Sequence, residues 1–456
     1  MAFRPVFSLA ALTLLVFALP ACAQSNQPPA PQRDAIWQRD ALTDDWGEFR
    51  THLEQGGVTY RLQEQSEVWA NLTGGIRRGI ARDGLLTASL TGDLERMLGW
   101  VDAKFFASGF QIHGDGPTGS LIGNLQDVSN IEATNSAKLY DLWLEQRLLQ
   151  DRLTIRLGQE GANDEMMIAQ YNPVFLNSSF GFPGLLAADL PSGGPNYPLA
   201  TPFVRAQFRP IPPITLVGAI YNGDPAPPGG GDPQLRDRHG TAFRANDDAL
   251  GFAEIWYSPD PDGPAALPTT YKLGAWYDTG VFADRLLDQN GLSLANPTSL
   301  RIPRGHHGDY GAYGIIDQML WRRPETKEQG VGVFLQIMGA PSDRNLSNLF
   351  IEGGVVWKGP SPARANDTAG LAATYLGISP VARLFSKELA LVTGAVPYAA
   401  GELVLEATYA AQVAPWLSLQ PDAQLVINPG AGVIIAGGRT SLPNALVIGL
   451  RATVTF

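Results

Sequence analysis

The chain has 456 residues, a formal net charge of −11, 17% charged residues and a mean hydropathy of −0.05. So acidic a chain lacks the basic footprint that a nucleic-acid partner requires. Its single cysteine, Cys22, excludes an internal disulfide and argues against cysteine-based metal or redox chemistry. Few charges without many apolar residues, together with 50 glycines, suit a wall whose lipid-facing band alternates with a polar interior.

The N-terminus reads as an export signal. Arg4 supplies the positive end, residues 6–20 are almost wholly apolar, and Ala21-Cys22-Ala23 is a small-x-small cleavage site before Gln24. Residues 1–23 are expected to be a signal peptide. Leu19-Pro20-Ala21-Cys22 also resembles a lipoprotein processing site, which Pro20 fits badly. Residues 24–42 read as a flexible lead-in. A short periplasmic helix is expected at 43–57, with Thr43 as its cap, Asp44 and Asp45 in its first turn and Gly56-Gly57 at its end.

From Val58 the apolar period becomes two. Val58, Tyr60, Leu62, Val68 and Ala70 fall on one face, with Glu64 and Ser66 as exceptions, while Thr59, Arg61, Gln63, Gln65, Glu67, Trp69 and Asn71 fall on the other. The pattern recurs and predicts strands at 58–71, 83–94, 102–113, 138–149, 152–160, 202–210, 213–221, 248–258, 269–281, 308–322, 329–339, 348–358, 368–378, 401–412, 415–427 and 444–456. The last of these ends on Phe456 itself. Its apolar parity (Leu446, Ile448, Leu450, Ala452, Val454, Phe456) lies opposite Arg451, Thr453 and Thr455. Such a stretch fits either the closing stave of a membrane barrel or the last core strand of a soluble β-protein.

The connections decide between those readings. Even-numbered ones are mostly short, such as Gln150-Asp151, Ile211-Pro212 and Val413-Ala414. Odd-numbered ones are mostly long: 114–137, 161–201, 222–247, 282–307, 379–400 and 428–443. A meander sends the two sets to opposite rims, which is the habit of outer-membrane barrels. The expected fold is therefore all-β, a transmembrane antiparallel β-barrel of about 16 strands over residues 58–456. No internal repeat and no plug domain appear.

Several stretches carry a family resemblance. They are T-D-D-W-G-E-F-R-T-H-L (43–53), G-G-I-R-R-G (74–79), L-G-W (98–100), G-N-L-Q-D-V-S-N-I-E-A (123–133), L-Y-D-L-W-L-E-Q (139–146), P-S-G-G-P-N-Y-P-L-A-T-P (191–202), Y-N-G-D-P (221–225), R-H-G-T-A-F (238–243), Y-K-L-G-A-W-Y-D-T-G (271–280), G-A-P-S-D-R-N-L (339–346) and the tail 402–456. In this order they resemble the carbohydrate-selective porin family, the OprB family, over residues 41–456. A D-W-G-G stretch is expected where this chain has Asp45-Trp46-Gly47-Glu48. The resemblance implies a sixteen-stranded outer-membrane barrel, commonly a homotrimer, that admits glucose and related sugars or polyols. Outer-membrane lipid, lipopolysaccharide and the barrel-assembly machinery are its expected partners. A general diffusion porin is the alternative.

A sugar channel needs aromatic rings for the C–H faces of a pyranose and planar charged groups for its hydroxyls. Strand parity selects lumen candidates: Arg61, Glu67 and Trp69 on the first strand; Asp141, Trp143, Glu145 and Arg147 on the fourth; Arg205, Gln207 and Arg209 on the sixth; Glu254 and Trp256 on the eighth; Lys272, Trp276 and Asp278 on the ninth. On the fourth strand Tyr140 is expected to face lipid. Arg77, Arg78 and Arg82 form a basic cluster at the rim, read as constriction or docking arginines, or as contacts to lipopolysaccharide phosphates. The loop 161–201 is expected to fold inward. The histidines His52, His113, His239, His306 and His307 show no metal-ligand spacing, and no nucleophile-elbow, Walker or dinucleotide motif appears. No cofactor and no catalysis are expected.

Overall fold

The computed structural model describes residues 36–259, 267–324, 326, 328–433 and 440–456. The expected signal peptide, residues 1–23, lies outside the described residues, as does most of the lead-in. The strands are β1 (Val58–Thr73), β2 (Gly79–Asp93), β3 (Ala103–Gly114), β4 (Ser136–Leu148), β5 (Leu153–Glu160), β6 (Thr201–Ile211), β7 (Ile214–Asn222) and β8 (Ala249–Tyr257). The second half comprises β9 (Thr269–Asp288), β10 (Pro303–Arg322), β11 (Gly330–Gly339), β12 (Ser347–Lys358), β13 (Thr368–Ile378), β14 (Gly401–Ala414), β15 (Leu417–Ile427) and β16 (Ala445–Thr455). Each pairs antiparallel with its chain neighbours, and β16 returns to β1, from Gln63 opposite Thr455 to Thr73 opposite Leu446. The sheet closes and leaves no unpaired edge. Outside the strands lie the short helices α1 (Phe49–Gln55), α2 (Leu94–Leu98), α3 (Gly184–Asp189), α4 (Pro233–Arg236) and α5 (Pro380–Thr393). None of the described helices is long and apolar enough to cross a membrane.

The alternation has an inverted sense. On β9, Trp276, Asp278, Phe282 and Asp284 point inward and are buried, while Leu273, Tyr277 and Val281 stand exposed on the outside. Val204, Ile220, Val355 and Leu371 continue that exposed apolar belt. A water-soluble barrel would hide such residues; a barrel solvated by lipid displays them.

Three expectations need correction. The helix expected at 43–57 is only α1, because Asp44, Trp46 and Glu48 adopt left-handed backbone that no helix accommodates. Asp45 instead accepts from the Thr51 N–H (2.9 Å) and hydroxyl (2.8 Å), which hold its carboxyl below the usual range. The long connection expected at 282–307 shortens from both ends to 289–302, since β9 runs to Asp288 and β10 starts at Pro303. Register shifts between Pro303 and Gly305 and between His307 and Asp309 interrupt the period of two there, which hides the strand from a periodicity reading. The rim expected at 74–82 shrinks to 74–78. Gly74 turns the chain at φ +67°, and a Cβ there would lie 1.9 Å from the Asn444 carbonyl oxygen. Arg82 therefore belongs to β2, on its outer face.

Candidate functional site in the barrel lumen

The longest connection, 161–200, folds inward and crosses the inner wall. Inward carboxylates on every second strand receive it. Glu254 of β8 accepts the Met167 N–H (2.8 Å), and Asp317 of β10 accepts that of Gln170 (2.8 Å). Glu352 of β12 accepts the Asn172 side-chain amide (3.0 Å). Glu406 of β14 takes the N–H groups of Leu176 (2.6 Å) and Asn177 (3.0 Å). In return, Lys272 of β9 donates to the Ile168 carbonyl (2.6 Å) and Gln420 of β15 to that of Val174 (2.7 Å). A loop buried inside a barrel loses water for its backbone donors, and charge-assisted bonds to these carboxylates replace it. Met166, Phe175, Phe180 and Leu185 of the loop then pack against Phe252, Tyr313, Phe334 and Phe350 of the wall. Much of the inner surface from β6 to β13 is thus hydrophobic core.

This decides where the sequence-selected residues lie. Trp69 is fully buried beneath the connection 115–135 and donates to Glu67 (2.7 Å), which also receives Ser129 Oγ (2.6 Å) and Arg451 Nε. Glu254 is buried, taking Tyr313 Oη (2.7 Å) and Trp256 Nε1 (2.5 Å), and Lys272 Nζ lies 4.4 Å from the centroid of the Trp256 ring. Trp276 and Asp278 are buried as well, Asp278 accepting the Gly280 N–H (2.8 Å). Arg61 is exposed on the inward parity of β1. Arg77 and Arg78 are exposed at the rim, where Arg77 Nε donates to the Ser120 carbonyl (3.1 Å). Tyr140 is not on the lipid face. A bulge opposite Ala107 and Gly109 shifts β4 by one residue, and Tyr140 turns inward, buried, to donate to Asn163 (2.8 Å).

The structure brings Asp141, Trp143, Glu145 and Arg205 to one stretch of wall, β4 to β6. Their organiser is Arg156 of β5, which stands opposite Glu145 on one side and Arg205 on the other. Arg156 donates to Glu145 through Nε (3.1 Å) and Nη2 (2.7 Å), and through Nη1 to Glu160 (3.2 Å) and Glu165. Arg205 meets Glu165 at 2.8 Å and Gln207 at 2.5 Å. Asp141 accepts from Ser108 Oγ (2.5 Å). Glu145, Arg147, Arg156, Arg205, Gln207 and Arg209 line a cavity of about 390 Å³.

A second cavity, of about 370 Å³, lies between the loops and the wall. Gln65, Tyr140 and Arg451 line it from the barrel, Asp127 and Glu132 from 115–135, and Asp164 from 161–200. Burial pushes Asp127 up to about 6. Burial and the neighbouring Asp127 raise Glu132 well above its ordinary value. Asp164 is raised too, by the protein walls around it and then by Asp141 and Glu165. Sequence reasoning missed Arg156, although it lies on the polar parity of a predicted strand. It also missed Asp127, Glu132 and Asp164, which sit in loops without a periodic signal.

A closed sixteen-strand antiparallel barrel, apolar outside and with a polar lumen narrowed by an inward loop, is an outer-membrane porin: a channel, not an enzyme. Residues 77–456 match the model of the carbohydrate-selective porin, OprB family, and the chain belongs to that family. Porin B of Pseudomonas aeruginosa is 24% identical over 433 residues, covering 90% of each chain. The putative porin QuiX of Acinetobacter baylyi is 22% identical over 455 residues, covering 92% of this chain and 94% of its own. A high-pH structure of Pseudomonas putida OprB shares the fold, with a TM-score of 0.82 at 21% identity over 93% of this chain and 100% of the other.

Proposed function

We propose that the protein passes monosaccharides such as glucose, and related sugars or polyols, by passive diffusion. One observation carries this reading: Arg156, flanked by Glu145, Glu160 and the loop's Glu165, beside Trp143 at the edge of the cavity of about 390 Å³. Fixed donors and acceptors at hydroxyl spacing suit a polyol that binds weakly and leaves again. A general diffusion porin needs a wide lumen, and the apolar packing of 161–200 against the wall speaks against one. The long connections face the cell exterior and α1 the periplasm in this reading, after export directed by residues 1–23. Homotrimer formation, lipopolysaccharide contact and insertion by the barrel-assembly machinery are further proposals, resting on the family.

The test is reconstitution in planar bilayers with a panel of sugars. Hexoses should block the ion current at lower concentration than uncharged solutes of equal size that lack vicinal hydroxyls. Equal block by both would leave the general diffusion porin as the better description.

A further inference from the structure

The underside of the inward loop leaves a cavity of about 420 Å³ near the turn rim, between the loop and the wall from β10 to β13. Its floor is apolar: Met319 of β10, Val356 of β12 and the loop's Pro173 and Val174. Gly330, Lys358 and Thr368, at the turn ends of β11, β12 and β13, border it toward the rim. Tyr171 lines it from the loop side. The residues flanking that tyrosine are tied to inward carboxylates, the Gln170 N–H to Asp317 (2.8 Å) and the Asn172 side-chain amide to Glu352 (3.0 Å). Gly332, on the inward parity of β11, receives the ring, since a Cβ there would come within 2.2 Å of it. Tyr171 Oη is buried and has no hydrogen-bond partner among the described residues. The position therefore uses the ring and not the hydroxyl.

Polar groups stand at the mouth of this cavity. Gln170 is exposed, and Lys358 Nζ donates to the exposed Glu328 at 2.7 Å. An aromatic ring over an apolar floor, with an amide, a carboxylate and an ammonium group at the edge, suits the C–H face and the hydroxyls of a pyranose. We propose that the cavity is a second sugar subsite, at the turn-rim end of the channel and separate from the Arg156 wall. Arg156 stands on β5, five strands or more round the barrel, so the two positions hold separate sugars. Anchored on both sides, Tyr171 keeps its ring in place before a sugar arrives, which lowers the ordering cost of weak binding. Weak sites in series let a solute bind and still leave. The inference rests on the sugar reading of the lumen and adds a second resting place to it.

Cysteine protection tests it in the full chain, whose one native cysteine, Cys22, lies in the expected signal peptide. Thr368→Cys is alkylated with iodoacetamide in proteoliposomes and followed by mass spectrometry. Glucose should slow the reaction about threefold, as a weak site two-thirds filled would, and glycerol at equal concentration should not. Tyr171→Ala in this background should abolish the protection, and Tyr171→Phe should keep it. Gly332→Ala, which displaces the ring without removing it, should weaken the protection as well. Arg156→Lys should weaken current block and leave the protection in place. Equal rates with and without glucose, or equal protection by glycerol, would overturn the proposal; if glucose still blocks the parent's current, the sugar reading stands. Protection that survives both Tyr171→Ala and Gly332→Ala would overturn it too. Protection without any block of the parent's current would sink the Arg156 reading alone.

Discussion

The Arg156 guanidinium carbon lies 4.0 Å from the centroid of the Trp143 ring. Phe106 stacks on the same indole at 5.1 Å. Arg156 comes from β5 and Phe106 from β3, so the indole is flanked from both neighbouring strands. The ring that parity offered as a sugar platform is engaged in holding a cation. A sugar would meet Arg156 and Glu145, with Trp143 behind them.

Trp143→Ala should therefore weaken sugar block through Arg156. A desolvated cation–π contact is worth on the order of 2 kcal/mol, and losing half of it as positioning weakens binding about fivefold. Trp143→Phe should keep most of the affinity, while Arg156→Lys, which loses the fork to Glu145, should lose more than either. Current block in planar bilayers reads all three. Equal affinity in parent and Trp143→Ala would remove Trp143 from the site.

Glu406→Ala removes the acceptor of two buried backbone N–H groups, those of Leu176 and Asn177. An unmet buried donor costs about 1–3 kcal/mol, enough to loosen this part of the loop without unfolding the barrel. Single-channel conductance and open-channel noise should rise, and Glu406→Gln, which keeps one acceptor, should fall between. Conductance identical to the parent would mean that the apolar contacts alone hold the loop.

The lumen should respond to acid. Asp127 is raised to about 6, beside Glu132 and Asp164 which are raised as well, so the Asp127 carboxyl gains its proton as pH falls from 8 toward 5. Cation preference should fall over that range, seen as a reversal potential moving toward zero in a KCl gradient. Asp127→Asn should flatten the part of the curve near pH 6. The folded state binds these protons more tightly than the unfolded chain, so the same groups favour folding more at pH 5 than at pH 7. A reversal potential independent of pH would contradict the assignment.

The seam is latched by the N-terminal segment. Arg50 donates to the Phe456 carbonyl, the Leu42 N–H to that of Thr455 (2.8 Å) and the Phe456 N–H to that of Leu62 (2.9 Å). Trp37 stacks on Trp416 at 5.7 Å. Deleting Phe456 should reduce the heat-modifiable outer-membrane band severalfold, and Arg50→Ala by less. An undiminished band in the deletion would show that the other contacts suffice.

The sequence by itself determined the wall. All sixteen strands are announced by a period of two, except for the outer ends of β9 and β10, because a strand's two environments are imposed within a few residues of any position. It also placed the turns, the closing strand and the inward parity of Glu67, Asp141, Glu145, Arg205 and Glu254. It could not separate those that border open lumen from those that do not. Parity assigns Glu145 and Glu254 the same inward direction, yet Glu145 lines a cavity beside Arg156 while Glu254 is buried against Met167. Only the tertiary path of 161–200 decides between them, since it joins residues far apart in the chain and follows no period. The β4 bulge that turns Tyr140 inward is equally invisible to a periodic reading, since one extra residue reverses every parity beyond it.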